Sequence, residues 1–262
     1  MNMLLKDKTA LVYGAGGAVG GAVAKAFARE GALVHLAGRT VATLEVVAQA
    51  IRDKGGRAEV AAVDTFDPAA VDAHLERLVR SGPVNLMFNA VGLTGDQGKP
   101  LAEMDRDNFF ATINDAMKTW FHTGTAVARH MAKNGGGVIL GISANAARQA
   151  YTNMGGFGVA TGAVEHFLRH LAVENAAYGV RVCCIRSPGS PDSPGVREAF
   201  LAHAANQGVT LEEVIRSADA GSPLGHLTTL PEIADLAVLL ASDYARSMTG
   251  TVINGTGGAQ VD

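Results

Sequence analysis

Short apolar runs bounded by glycine or polar residues alternate along the chain with longer segments whose apolar positions recur every three or four residues. The runs Ala10–Tyr13, Leu33–Ala37, Glu59–Val63, Asn85–Phe88, Val138–Ile142, Val180–Ile185 and Thr251–Ile253 predict strands. The periodic segments Val19–Arg29, Thr40–Lys54, Ala69–Val79, Asn108–Lys133 and Gly158–Ala177 predict helices. In Thr40–Lys54 the apolar stripe is Val41, Leu44, Val47, Ala48 and Ile51. Alternation of this kind specifies a parallel sheet covered by helices on both faces. No repeat, low-complexity tract or linker interrupts it, so the expectation is a single doubly wound α/β domain over residues 1–262, with seven parallel strands.

The alternation lapses once, at about residues 187–225. The segment opens Ser-Pro-Gly-Ser-Pro-Asp-Ser-Pro-Gly, whose prolines and glycines prevent regular structure, and then carries helical stretches near Val196–Ala204 and Leu211–Ala218. An insertion after the sixth strand falls at the carboxyl edge of a doubly wound sheet, where ligands bind. It is therefore expected to cover a substrate; the alternative is a packed surface excursion.

Composition narrows the classes. Hydrophobic content of 48% with 18% charged residues fits a compact soluble protein. A formal charge of −3 without any Lys/Arg run argues against nucleic acid or an anionic membrane as partner. Cys183 and Cys184 are neighbours in a strand and point to opposite faces, so two buried thiols are expected rather than a disulfide. No apolar stretch approaches the ~20 residues of a membrane span, and the N-terminus lacks the pattern of a signal peptide. The expected location is the cytoplasm. No metal site is expected: His166 and His170 lie one turn apart, but without a third ligand that spacing more often marks an interface.

Candidate chemistry starts at the first strand–helix turn, Tyr13-Gly14-Ala15-Gly16-Gly17-Ala18-Val19-Gly20. Glycine permits a tight turn and lets the backbone approach a pyrophosphate, whose charge a helix N-terminus favours. The alternative is a glycine turn with no ligand. The second strand ends Ala37-Gly38-Arg39-Thr40. An acidic residue there would bind the adenosine ribose and repel a 2′-phosphate, whereas a guanidinium suits that phosphate. NADP(H) is therefore favoured over NAD(H), the alternative being a solvated Arg39 at a helix start.

These features, together with the stretch from Gly135 to Gly189, resemble the short-chain dehydrogenase/reductase family along almost the whole chain. The family's Thr-Gly-x-x-x-Gly-x-Gly is matched at Gly14 and Gly20, with Ala18 for the middle glycine and Tyr13 for the threonine. Val63-Asp64, followed by Thr65, is similar to the strand end that meets the adenine. Asn89-Ala90-Val91-Gly92 resembles the Asn-Asn-Ala-Gly turn, and Pro188-Gly189 the pair bordering the nicotinamide; Ser193 stands where a cofactor-contacting Thr is usual. The resemblance implies a Rossmann-type fold, the cofactor contacts just named, and a homodimer or homotetramer. The long helices Asn108–Lys133 and Gly158–Ala177 are expected to form its two-fold interface, because in the latter Val164, Phe167, Leu168 and Leu171 exceed one sheet-facing stripe.

The catalytic positions depart from the family. There a Ser follows the fifth strand and a Tyr-x-x-x-Lys pair lies thirteen residues further on; here those positions hold Ala144, Phe157 and Thr161. Only the Asn of the preceding helix is matched, at Asn114. No Lys follows Lys133, so no shift of register restores the pair. General acid catalysis typically contributes about 10²–10⁴-fold, so ketone reduction by the family mechanism is not expected. Tyr151 is the nearest remaining phenol, either a neutral donor at the substrate pocket or an aromatic on its rim, and Asn145, Arg148 and Asn153 share its loop. Tyr13, Tyr178 and Tyr244 are expected to be structural, and His122 and His130 have no identifiable partners. The functional expectation is an NADP(H)-dependent oxidoreductase on a small-molecule substrate that does not use the usual proton relay. The alternatives are a cofactor-binding protein without turnover, or a non-redox enzyme on the same scaffold.

Overall fold

The computed structural model describes residues 3–93 and 97–261. Seven strands form one sheet: β1 (Thr9–Tyr13), β2 (Leu33–Gly38), β3 (Arg57–Ala62), β4 (Leu86–Asn89), β5 (Gly137–Ala144), β6 (Val180–Ser187) and β7 (Thr251–Asn254). Their order is β3-β2-β1-β4-β5-β6-β7, and every pairing is parallel. The helices are α1 (Ala18–Arg29), α2 (Val41–Arg52), α3 (Pro68–Val79), α4 (Arg106–Lys133), α5 (Gly156–Asn175), α6 (Pro194–Gln207), α7 (Leu211–Ala220) and α8 (Leu230–Ala241).

The sheet separates two apolar cores. Val12, Val34, Phe88, Leu140 and Cys183 pack with α1, α2 and α8 on one face. Leu11, Tyr13, Met87, Ile139 and Cys184 pack with α3, α4 and α5 on the other. Period-two alternation thus sends the two cysteines into opposite cores, both free and buried. Among the described residues no helix is long and apolar enough to cross a membrane.

Several helix starts follow from local chemistry. Asp67 accepts from Ala69 N (2.9 Å) with Pro68 in the first turn of α3, and Asp105 accepts from Asn108 N (3.0 Å) ahead of α4. Glu213 and Glu232 close capping boxes with Thr210 and Thr229 ahead of α7 and α8.

Three expectations need correction. Strand β5 runs on to Ala144 and β6 to Ser187, because the pair stays in register over eight residues and carries polar side chains with buried partners. Val164, Leu168 and Leu171 are buried within the chain: α5 packs against both β5 and β6 and against α4, so it buries a wide face, and these residues are not surplus. Tyr178 and Tyr244 lie exposed in 3₁₀ turns, and only Tyr13 among the three is a core residue.

Candidate nucleotide and substrate site

Strand order reverses between β1 and β4, so the crevice at their carboxyl ends is where a doubly wound sheet binds ligands. Gly14 takes φ +71°, and a Cβ there would lie 2.5 Å from Ala90 O: the turns after β1 and β4 touch. At Gly20 a Cβ would press on Gly14 O and sit 2.9 Å from Gly14 C, while at Gly16 it would strike the Thr43 side chain. Those glycines are required by packing. Gly17 differs: its Cβ would meet only Gly14 O at 3.3 Å, and it is exposed at the N-cap of α1. No side chain caps α1, and its first turn, which includes Ala18 and Val19, carries no acidic residue. An uncapped helix start at the switch point fits a pyrophosphate.

Arg39 and Thr40 follow β2 at the same edge, both exposed. Arg39 forms no hydrogen bond or ion pair with a described residue. The remaining matched residues lie at or after the carboxyl ends of β3, β4 and β6, with differing freedom. Asp64 is exposed and accepts from Phe66 N at 3.0 Å. Thr65 is buried, and its carbonyl meets His122 Nδ1 at 2.9 Å. Asn89 is buried and spends its amide on Thr123 Oγ1 (3.0 Å) and Val91 N (2.9 Å), which fixes the turn through Ala90, Val91 and Gly92. Pro188 leads into Gly189, which has φ +95° and donates to Ser187 Oγ at 3.2 Å. Ser193 is the buried N-cap of α6, and its hydroxyl accepts no capping hydrogen bond from the helix N–H groups. His122 and His130 do have partners, since His130 Nε2 accepts from Val84 N at 3.3 Å.

Beyond this crevice, the end of β5 faces the start of α5. Gly156 must be glycine, because a Cβ would collide with Phe109 O on α4. Ala144 ends β5 with a methyl group, and Phe157 is half-buried in the first turn of α5. Thr161 is buried; its Oγ lies 2.9 Å from Phe157 O and 3.0 Å from Gly158 O, so its one proton returns to its own helix. Asn114 stands exposed on α4 without a hydrogen bond to a described residue.

Tyr151, in the loop between β5 and α5, is 40% exposed. Asn145 Nδ2 donates to it at 2.8 Å, leaving the phenol proton free for another acceptor. Burial pushes the phenol above its usual value while the Gln260 and Asn145 amides draw it back, and the net direction is upward. Tyr151 is therefore a neutral donor at physiological pH. Gln260 was not a candidate on sequence, where a lone Gln near the chain end carries no signal. It is buried, and its Nε2 donates to Asn145 O at 2.7 Å, tying the C-terminal tail to the Tyr151 loop. Gly98 N donates to Asn153 O (2.7 Å), and the Asn206 side chain of α6 crowds Gly98, so α6 adjoins the same loop.

A buried ionic group lies behind. Glu165 follows Thr161 by one turn and accepts from Ser143 Oγ (2.7 Å), Arg186 Nε (2.9 Å) and Arg186 Nη2 (2.7 Å), with Arg169 at 3.4 Å. The signal in the sequence was Arg186, a charge in an apolar strand that needs a partner.

The comparisons with known proteins fall on the whole of this architecture. The model of a family described as enoyl-(acyl carrier protein) reductase matches residues 14–260. The uncharacterised oxidoreductase YxbG of Bacillus subtilis is 32% identical over 256 residues, covering 97% of this chain and 91% of that protein. The chain belongs to the short-chain dehydrogenase/reductase family. The short-chain reductase protein NovJ of Streptomyces niveus is 31% identical over 97% of this chain and 94% of its own length. Among solved structures, an NAD+-bound xylitol dehydrogenase superposes with TM-score 0.91 at 25% identity, covering 97% of this chain and 99% of that one. A gluconate 5-dehydrogenase from Burkholderia cenocepacia, in complex with NADP and tartrate, shares the fold with TM-score 0.87 at 23% identity over 98% of this chain and 97% of that one. The family is one of oxidoreductases, and these two members bind different dinucleotides.

Proposed function

We propose that this short-chain dehydrogenase/reductase family member is an NADP(H)-dependent oxidoreductase on a small polar molecule, with a proton donor other than the family's Tyr/Lys pair. The observation that carries the reading is the state of α5. Phe157 has no proton to give, Thr161 commits its hydroxyl to its own backbone, and Ala144 offers a methyl group where a carbonyl would be held. The family's acid, its cation and its serine are absent from the positions matched to them.

When bound, a nicotinamide would supply or accept a hydride. The α1 N-terminus and the backbone of Gly14–Gly20 would hold its pyrophosphate, Arg39 its 2′-phosphate, and Asp64, Asn89–Gly92, Pro188, Gly189 and Ser193 would border the rest. Tyr151, aligned by Asn145, would donate a hydrogen bond to the substrate, and the exposed Asn114 of α4 is the second candidate polar group. A neutral phenol is a weak acid. The substrate class this suits is one in which proton delivery is undemanding, such as a conjugated double bond or an activated imine. Helices α6 and α7, each with a single buried residue, would form the cover. The assembly proposed is a homodimer or homotetramer, now on the exposed Phe110, Phe121, Val159 and Val173 of α4 and α5. Light scattering that shows only monomer would refute it.

The test is enzymatic. Wild type should bind NADPH yet show negligible reduction of simple ketones and aldehydes. Ala144→Ser, Phe157→Tyr and Thr161→Lys combined should create measurable ketone reductase activity, while each single change does little, because the groups act as a unit. Robust wild-type ketone reduction would refute the reading. A triple variant that binds NADPH and stays inactive would mean the pocket is shaped for other chemistry.

A further inference from the structure

His166 and His170 occupy the exposed side of α5, away from the buried Val164, Glu165, Leu168 and Leu171. Their Nε2 atoms lie 3.2 Å apart, and the rings meet edge to face at 85° with centroids 4.8 Å apart. Two neutral imidazoles can share one proton across such a gap. The same geometry also suits a metal ion. With metal–nitrogen bonds of about 2.1 Å, two cis ligands at 90–109° place their nitrogens about 3.0–3.4 Å apart and their ring centroids about 4.6–5.3 Å apart. Both observed distances fall within those ranges, and the helix sets the spacing in advance.

We propose that His166 and His170 form a two-imidazole site for a borderline divalent transition-metal ion: Zn²⁺, Ni²⁺ or Cu²⁺. Imidazole selects these ions, whereas Ca²⁺ and Mg²⁺ take oxygen ligands. Among the described residues no third His, Cys, Asp or Glu joins the pair in a metal-holding group, so water or a group from another molecule completes the shell. The ion would clamp one turn of the helix that also carries Phe157 and Thr161, without touching the crevice. The site is independent of the cofactor and substrate reading above; it shares the α5 face of the proposed interface with Val159 and Val173, so the facing copy is the other molecule that would complete the shell.

Titration calorimetry of the tag-free full-length chain with zinc chloride tests it, with calcium chloride as control. Wild type should bind one Zn²⁺ per chain saturably, bind no Ca²⁺, and melt at higher temperature with Zn²⁺ present. His166→Gln and His170→Gln keep a hydrogen-bonding side chain but lose the ligand, and each should weaken Zn²⁺ binding on the order of 10²-fold, the effect of losing the second, intramolecular contact. His166→Cys should restore binding through a thiolate, and His203→Ala, a change on α6, should leave it unchanged. Absence of saturable Zn²⁺ binding by wild type, or equal affinity in the Gln variants, overturns the proposal.

Discussion

Two glycines of the first turn separate packing from ligand binding, and substituting each tests the account of that turn. At Gly20 an added methyl presses on Gly14 O and lies 2.9 Å from Gly14 C and 3.0 Å from Ala15 Cα, all backbone atoms that cannot swing aside. Against backbone that cannot relax, overpacking falls in the upper part of its usual range, about 2–3 kcal/mol, against about 1 kcal/mol returned by replacing glycine with alanine in a helix. The net loss for Gly20→Ala is about 1–2 kcal/mol, a fall in Tm of roughly 2–8 °C for a domain of this size. Gly17→Ser is the contrast. Its Cβ meets only Gly14 O at 3.3 Å, the backbone there is extended (φ −84°, ψ 171°), and serine is a favourable N-cap. Stability should stay within about 0.5 kcal/mol of wild type, while the new hydroxyl competes for the amides that a pyrophosphate would use and weakens NADPH binding about tenfold. Thermal melting with calorimetric NADPH titration reads both effects. A Gly20→Ala protein as stable as wild type would refute the packing argument, and undiminished NADPH affinity in Gly17→Ser would refute the ligand argument.

Arg39→Asp should weaken NADP(H) about tenfold, the low end for a charge-assisted bond because Arg39 is exposed, and improve NAD(H); calorimetry with each cofactor decides it. His74 is buried, and desolvation first, with Arg77 and His35 adding, pushes its pKa down to about 4. The unfolded chain therefore binds a proton that the folded one does not between about pH 6.5 and 4, so stability present above 6.5 is lost on acidification by up to about 1.4 kcal/mol per pH unit. His74→Phe should flatten the urea midpoint over that window. Arg186→Met strips the buried Glu165 of two hydrogen bonds and should cost about 3–5 kcal/mol by urea denaturation, with Glu165→Leu in the same chain recovering most of the loss.

The fold was legible because each strand is a run of apolar residues closed by glycine or a polar turn, and each helix repeats with its own period. The tight turn at the strand-order switch was legible for a related reason: Gly14, Gly16 and Gly20 each meet backbone or a short side chain that excludes a Cβ. Residues joined only in three dimensions were not. Gln260 reaches Asn145 across 115 positions, and Ser143 meets Glu165 across 22. The assembly argument from Val164, Leu168 and Leu171 failed because helical periodicity cannot tell a helix packed on two strands and a neighbouring helix from one with a surplus apolar stripe.

Polar groups on the inner side of α5 are committed to structure. Glu165 holds Arg186 and Ser143, and Thr161 bonds back to its own helix, so neither has a proton in play for the crevice. Under the proposed reading, proton donation has moved from a helix to the loop between β5 and α5. A helix-borne acid is aligned by the core; Tyr151 is aligned by Asn145, whose carbonyl is held by Gln260 of the tail. Gly98 and Asn206 join α6 to the neighbouring Asn153. Alignment of the donor then depends on segments with few buried anchors, which order and open more readily than a core helix. Substrate closure and donor alignment would accordingly be one event, and changes in the tail or α6 should act on turnover through the position of Tyr151.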